Sequence, residues 1–418
     1  MANIDASTSA LLKTRAGENF DANVLIGNPV TSLITKKTGV GGKAWQVALQ
    51  VGANVARGKR FADVKANVAP TKRVEMDYQF QESYVLGYCP GIDAALATGG
   101  ANSIEELVGV EQDMAYATAG SLIEQTIVRG DSFGTIAAID SVVSGTTGTV
   151  VLQLVNFNDC FSIYLNDVLA VKTDPSTASL QTGFMTVTAT DPMTGQITVT
   201  MGGGGDATSY AGKSIGLQAT YANSTSPQTM QSLRTLFTRT NLSSAFEGLA
   251  SRASDPVRLA GHVFSVGTMG IKDIITLLVA SIGNFGKARP EYALVSTSGY
   301  TELEQDLGDQ VRYTTSTGSG PGENSKVNMP SITFEGPRGP VNVVAVPTQL
   351  DSDVFVIDPS SLFLTTAGSD MIEKTDEGES GSGWIQLQDS DAKRLGLRML
   401  SAFGCHAFWK CGRAIRTI

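Results

Sequence analysis

Tyr292-Ala-Leu-Val-Ser296, Ser331-Ile-Thr-Phe-Glu-Gly-Pro-Arg-Gly-Pro-Val-Asn-Val-Val-Ala-Val346, Val354-Phe-Val-Ile-Asp358 and Ser361-Leu-Phe-Leu364 set the fold class of the chain. Tyr292 to Val295 is a short apolar run and reads as a buried strand. Ser298 caps a helix bearing Tyr300, Leu303 and Leu307, stopped by Gly308. Thr314 to Asn328 is a Gly/Ser/Pro-rich loop. Ile332 to Glu335 and Val341 to Val346 then form a hairpin across Gly336-Pro-Arg-Gly339. Just upstream, Ile271, Ile274, Ile275, Leu278, Val279 and Ile282 give an amphipathic helix ended by Gly283 or Gly286. Helices alternating with strands from about Ser232 onward predict an α+β lobe, closed by a strand-rich block from Trp384 to Ile418.

Working back toward the start, the pattern changes twice. Residues 140 to 222 are rich in Thr, Ser, Gly, Val and Asp. Short strands are expected at Thr149–Leu154, Met185–Thr188, Gln196–Thr200 and Ile215–Gln218, with Asp191-Pro-Met-Thr-Gly195 as a turn. This predicts an all-β insertion forming its own lobe. Before it, Ser103 to Gly130 carries the clearest helix. Ser103 and Glu106 have capping-box spacing, Gly130 is a left-handed stop, and the length is about 40 Å at 1.5 Å per residue.

The first 40 residues read as an extended arm, because Leu11, Leu12, Phe20, Val24 and Leu33 are too sparse for a core. Gly39-Val-Gly-Gly42 breaks the chain. Trp45–Val51 and Arg73–Phe80 alternate as two strands of a long hairpin around a basic tip at Arg57, Lys59, Arg60 and Lys65. A two-stranded hairpin is marginal in water, so this one is expected to be held by another subunit, and its tip residues are the candidate intersubunit contact. The arm is likewise expected to lie on a neighbour.

The chain has 418 residues, 42% hydrophobic and 17% charged, which suits about two or three compact units. The formal charge is −9 and no basic block stands ready to neutralise a run of phosphates, which argues against tight sequence-specific DNA binding. Cys89, Cys160, Cys405 and Cys411 lack CxxC spacing and read as free thiols in a reducing compartment. There is no signal-peptide pattern and no apolar run of about 20 residues, so a cytoplasmic product without membrane insertion is expected.

Fragments that imitate chemistry lack their partners. Gly212-Lys213-Ser214 misses the glycine of a phosphate loop, Ala207 standing there instead. Arg129-Gly130-Asp131 ends a helix. His262 and His406 are the two histidines, and neither has a nucleophile elbow. His406 beside Cys405 and Cys411 lacks a second ligand cluster and reads as core strand. Glu373 to Glu379 is a solvated acidic loop without calcium-ligand spacing. No catalytic, cofactor or metal residue is assigned, and the chain is not expected to be an enzyme.

In order along the chain stand Gly41-Gly42, the helix from Ser103 to Arg129, Arg258-Leu-Ala-Gly261, Phe285-Gly-Lys-Ala-Arg-Pro-Glu-Tyr-Ala-Leu294, Phe334-Glu-Gly-Pro-Arg-Gly339 and Leu395-Gly-Leu-Arg398. This order resembles the major capsid protein of tailed bacteriophages (Caudoviricetes), the Hong Kong 97 type. The resemblance implies an α+β capsid fold with an N-arm at 1–40, an E-loop at 41–85 and a P-domain with its spine helix at 86–139. It further implies the β insertion at 140–222, an A-domain at 233–357 and returning P-domain strands at 358–418. By the same resemblance, the chain forms hexamers and pentamers of an icosahedral virion shell around double-stranded DNA, assembled in the host cytoplasm. Implied partners are a portal, scaffolding and decoration proteins, and DNA contacted without sequence preference; no membrane is implied. Many members lose an N-terminal scaffolding segment; here residues 1–40 already read as the arm, and no cleaved prodomain is expected. Some members join an E-loop Lys to an Asn of a neighbouring P-domain near a buried Glu. Lys59, Lys65 and Lys72 are available, but no Asn follows Asn342, and Asp389 and Asp391 are the nearest substitutes. An encapsulin-like compartment shell is the alternative within the fold, disfavoured by the large insertion, and a hydrolase is the alternative of another class.

Overall fold

The computed structural model describes residues 28–51, 60–66, 73–89, 101–174, 180–218, 229–286, 288–307, 332–336, 339–375, 384–386 and 393–417. Those residues form a mixed α/β architecture of two six-stranded sheets, a closed barrel and a two-stranded hairpin.

The first described segment packs on its own chain. Pro29 opens a one-turn helix, Pro29–Leu33, as proline does at a first helical position. The amides of Val30 and Thr31 donate to the buried carboxylate of Glu124 at 2.9 and 2.7 Å. Strand β1 (Thr35–Lys37) then pairs in parallel with Phe363–Thr365. Residues 28–37, expected to lie on a neighbour, are therefore bound within the subunit; residues 1–27 are outside the described residues.

Strands β2 (Ala44–Gln50) and β3 (Arg73–Gln79) are antiparallel, with Trp45 opposite Tyr78. The alternation expected from sequence is present, but the hairpin does not lack a core. Val47, Leu49, Met76 and Tyr78 are buried in the largest hydrophobic cluster among the described residues. The Tyr78 hydroxyl donates to the carbonyl of Cys405 at 3.1 Å, and its ring meets Phe363 edge-on at 5.4 Å. The supporting residues lie some 300 positions away, where no local pattern reveals them. Strand β4 (Gln81–Cys89) follows directly and was not expected.

The long helix spans Ala101–Arg129. It begins before Ser103, so Ser103 is inside its first turn rather than at the cap. Ala115, Ala119, Ile123 and Ile127 repeat at four-residue spacing and form its buried stripe. Gly130 ends the helix, its amide donating to Thr126 O at 3.2 Å, but it is not left-handed. A Cβ there would meet Thr126 O at 2.5 Å, and the left-handed residue is Ser132, with φ of 65°.

Next come β5 (Thr135–Ser144), β6 (Thr149–Leu154), β7 (Val168–Lys172), β8 (Phe184–Asp191), β9 (Gln196–Gly202) and β10 (Ser214–Leu217). They close in the order β10-β5-β6-β9-β8-β7, with β10 pairing both β5 and β7. Closure leaves no edge strand. On β6 the residues Val150, Leu152 and Leu154 point inward, packing with Ile197, Val199 and Ile215 in a core of their own. Sequence patterning reaches four of these strands. It misses β5, which starts at Thr135 and whose alternation is broken by register shifts. It also misses β7, a short run buried at four of its five positions.

Two further layers complete the chain. Strands β11 (His262–Gly267), β12 (Tyr292–Val295), β13 (Ile332–Gly336), β14 (Gly339–Ala345) and β15 (Asp353–Ile357) belong to one sheet. The helix Ile271–Gly286 packs into that sheet's own core, burying Ile271, Ile274, Ile275, Leu278 and Ile282. The helix Thr297–Leu307 is capped by Ser296, whose Oγ accepts from Gly299 N at 3.1 Å; Ser298, the expected cap, lies inside it and donates to Asp351. The other sheet contains β16 (Leu362–Thr366), β17 (Glu373–Lys374), β18 (Trp384–Gln386) and β19 (Lys393–Cys405). Strand β19 is its axis, pairing with β4, β16, β17 and β18. Glu373, expected in a solvated loop, is thus in a strand. Strand β20 (Gly412–Arg416) leaves this sheet and pairs between β11 and β15. The last described strand therefore belongs with residues 262–357, not with the strands that precede it.

Candidate assembly surface

Of the four basic tip positions, Arg60 and Lys65 are described, and both are exposed. Lys65 is in the last turn of a short helix, Phe61–Ala66. Arg57 and Lys59 lie outside the described residues, so the structure does not bring the four together. Phe61 on the same helix is 81% exposed.

The hairpin is held at both ends by residues whose contacts sequence reading did not reach. Glu247 accepts from Asp77 N through its carbonyl at 2.9 Å and from Gln79 N through its carboxylate at 3.3 Å. Burial pushes the Glu247 carboxyl above the usual range, opposed by its bond from Gln231. Arg252 lies over Phe246 at 3.8 Å and donates to the carbonyls of Thr235 and Leu236, and burial lowers its guanidinium to about 10. Arg258 donates to Val51 O at 3.2 Å. One signal was legible: an acidic or basic residue every few positions across 247–258, in a stretch with little periodicity of its own.

Ion pairs linked by one hydrogen bond to a backbone carbonyl join the barrel, the long helix and the sheet that contains β15 and β20. Arg129 at the helix end pairs with Asp159 of the barrel, both buried. Burial pushes the Asp159 carboxyl up, and the Arg129 guanidinium opposes it. Arg234 donates to Arg129 O at 3.4 Å and meets Asp353 at 3.0 Å, an ion pair without hydrogen-bond alignment. Arg413 completes it at 2.6 Å from Asp353. Breaking such a buried pair by removing one partner costs about 3–5 kcal/mol, because the other charge is left uncompensated.

Large apolar side chains are exposed on β4, on the barrel, on the long helix and on the short helix Phe61–Ala66. Tyr84, Leu86 and Tyr88 alternate along the outward face of β4, while Gly87 faces Ala115 and Leu395 on the other side. Arg398, Gly396 and Arg394 stand beside them on β19. Met193, at the β8–β9 turn, is 92% exposed.

The residues that imitate catalysis are engaged otherwise. His262 Nδ1 is 2.8 Å from Ser281 Oγ, and Nε2 is 3.2 Å from the carbonyl of Trp409. No carboxylate orients the ring, and burial lowers its pKa, so this is a neutral core pair. Cys411 Sγ is 3.0 Å from Ser361 Oγ, and Cys405 is buried beside it. Lys213 donates to Gln181 at 2.8 Å from a strand-end loop whose Gly212 has φ of 73°. Among the described residues no three His, Cys, Asp or Glu side chains converge as metal ligands. No helix among them is long and apolar enough to cross a membrane.

No family model matches the chain, and no curated protein matches it. Solved structures do. Over 94% of its length the chain is similar to one from Mycobacterium phage Adephagia, covering 91% of that chain at 12% identity and a TM-score of 0.39. It is similar over 93% to the capsid of a native GTA particle computed with C5 symmetry, covering 90% of that chain at 8% identity and a TM-score of 0.45. It is similar over 93% to the holo-SrpI encapsulin complex from Synechococcus elongatus PCC 7942, covering 88% of that chain at 6% identity and a TM-score of 0.45.

Proposed function

We propose that this chain is a shell-building subunit, a major capsid protein of the Hong Kong 97 type. In this reading residues 1–40 are the N-arm, 41–85 the E-loop and 86–139 the P-domain with its spine helix. Residues 140–222 are an insertion, 233–357 the A-domain and 358–418 returning P-domain strands, except that the barrel of the insertion already begins with β5 at Thr135 and that β20 pairs within the A-domain sheet. The observation that carries the reading is the placement of apolar surface. Closed cores coexist with an exposed apolar strip, Tyr84, Leu86 and Tyr88, alternating along one face of β4. A contiguous apolar patch of this kind marks a protein–protein contact, whereas single exposed apolar residues are ordinary, and the strip suits a subunit that packs against copies of itself.

The order of sequence blocks supports the same reading. Hexamers and pentamers of an icosahedral head around double-stranded DNA follow, with a portal, and scaffolding and decoration proteins as further partners. Sedimentation velocity on the purified full chain tests self-assembly: particles of many subunits are expected, and a monomer at every concentration and salt condition contradicts it. Nucleic acid inside the particles supports a virion shell, whereas protein cargo turns the reading to an encapsulin-like compartment.

A further inference from the structure

We propose that Cys405 and Cys411 are an oxidation site: peroxide joins them in a disulfide that clamps the end of β19 to the start of β20 within one copy. The proposal stands on the fold alone and goes beyond the shell reading.

Two strands and one serine bring the thiols together. Cys405 is the last residue of β19, and Cys411 immediately precedes β20. Ser361 touches both. Its neighbour Leu362 pairs with Cys405, its carbonyl accepts from His406 N at 3.0 Å, and its Oγ is 3.0 Å from Cys411 Sγ. The two thiols are hydrogen-bonded to each other. Both residues are fully buried in the largest apolar cluster. Their backbones are held in place: Tyr78 OH donates to Cys405 O at 3.1 Å, and His262 N donates to Cys411 O at 3.1 Å. The turn between them is closed by Lys410 N to Ala407 O and Cys411 N to Phe408 O, each at 3.0 Å. Bonding the pair asks for a small approach of two sulfurs rather than a movement of strands.

The pair also divides its roles. Burial, the largest cause, raises the Cys405 thiol well above its ordinary value, and Cys411 adds to this. At Cys411 burial also acts upward, but hydrogen bonds from the Cys405 thiol and the Ser361 hydroxyl outweigh it and leave the thiol lowered. Cys411 is therefore the sulfur that ionises first. Hydrogen peroxide is small and uncharged, and it reaches a buried thiol through local openings of the fold. The Cys411 thiolate attacks one peroxide oxygen. An S–O bond forms, the O–O bond breaks, and the departing hydroxide takes up the proton Cys411 released, leaving as water. The Cys405 sulfur then attacks the Cys411 sulfenic sulfur. The S–S bond forms, the S–O bond breaks, and the hydroxide leaves as a second water with the proton of Cys405. Two thiols are oxidised and one peroxide is reduced to two waters. Cys160 has no such arrangement: its thiol donates to Gln196 O at 3.6 Å inside the barrel, and burial pushes it up to about 11.

The bond ties the two six-stranded sheets together where the chain passes from one to the other. In a reducing cell the thiols stay free, and the bond forms once the protein meets oxidising surroundings.

The test uses the full-length protein, reduced, freed of reductant, exposed to a small excess of hydrogen peroxide, then unfolded in a maleimide that caps remaining thiols. Trypsin cuts after Arg398, Lys410 and Arg413, so the bond joins Met399–Lys410 to Cys411–Arg413. Mass spectrometry without reductant should find that pair, two hydrogens lighter than its separate peptides. The melting temperature should rise by about 2–5 °C on oxidation and return with dithiothreitol. Cys405→Ala and Cys411→Ala should lose the peroxide-dependent rise, whatever their own melting temperatures, and the wild-type peptide map decides the matter if either variant fails to fold. Both cysteines capped by maleimide, Cys411 arrested as a sulfinic acid, or either cysteine joined to Cys89, to Cys160 or to another copy overturns the proposal. The linked pair without a rise in melting temperature overturns the clamp.

Discussion

His262 shows how a residue that resembles a catalyst is used for stability. Its ring is buried between Ser281 and the Trp409 carbonyl, and burial, the largest cause, lowers its pKa below 6.5. A histidine with a depressed folded pKa binds fewer protons folded than unfolded. Its contribution is complete above the unfolded value near 6.5 and is lost as pH falls through the folded value. His406 shifts in the same direction, also chiefly through burial. These two groups act to lower the melting temperature between pH 7 and pH 5, while Glu247 and Asp159, pushed up by burial, act in the opposite direction, so the comparison is between the wild type and a histidine variant. In His262→Gln the change from pH 7 to pH 5 is shifted upward relative to the wild type, whatever the absolute melting temperature, and the remaining histidine share belongs to His406. An unchanged slope in the variant would show that His262 does not titrate differently on unfolding. The residue's type and isolation were legible in the sequence; its partners, 19 and 147 positions away, were not.

At the scale of elements, the hairpin crosses β19 in close contact. A Cβ on Gly404 would lie 2.5 Å from the Phe363 ring and 2.8 Å from the Tyr78 ring. Gly404→Ala should therefore cost about 1–3 kcal/mol by overpacking, read as a lower denaturation midpoint. Gly41→Ala, with nothing within 4 Å of its Cβ, is the matched control and should be near neutral. Equal stability of the two variants would mean that the hairpin does not press on β19.

The barrel has its own closed core, and excision tests its independence. Replacing residues 135–218 by a Gly/Ser linker removes Asp159, so Arg129→Met must accompany it to avoid stranding a buried cation. The remainder should still melt cooperatively. A chain with no transition would show the barrel to be part of the main core. Strands such as Thr149–Leu154 and Tyr292–Val295 were readable because a half-buried strand alternates and a buried one is an apolar run. The helix cap misplaced at Ser298 failed for a local reason: Ser296 and Ser298 look alike in sequence, and only Ser296 Oγ reaches the Gly299 amide. The hairpin's support and the pairing of β20 failed for a non-local one, since register across hundreds of residues leaves no trace in a short window.

For the whole molecule, three buried apolar clusters among the described residues stand beside exposed apolar side chains on β4, the barrel and the short helix Phe61–Ala66. Assembly is expected to be non-covalent. Lys65 is exposed, but no Asn follows Asn342 to receive a lysine amine. Particles boiled with reductant should run as a single band at the monomer mass on a denaturing gel. A ladder of subunit multiples would reveal a cross-link made through another acceptor. The ion pairs from Asp159 to Arg413, linked by the hydrogen bond to Arg129 O, tie barrel, helix and sheet together within one copy.

Whether many copies of this chain close into a shell is decided by electron cryo-microscopy of the purified, concentrated 418-residue chain. Closed icosahedral particles are expected, with density that accepts the chain as hexamers and pentamers and with the exposed strip Tyr84, Leu86 and Tyr88 in contact with a neighbouring copy. Monomers, or small closed oligomers in which that strip faces solvent, would refute the shell reading.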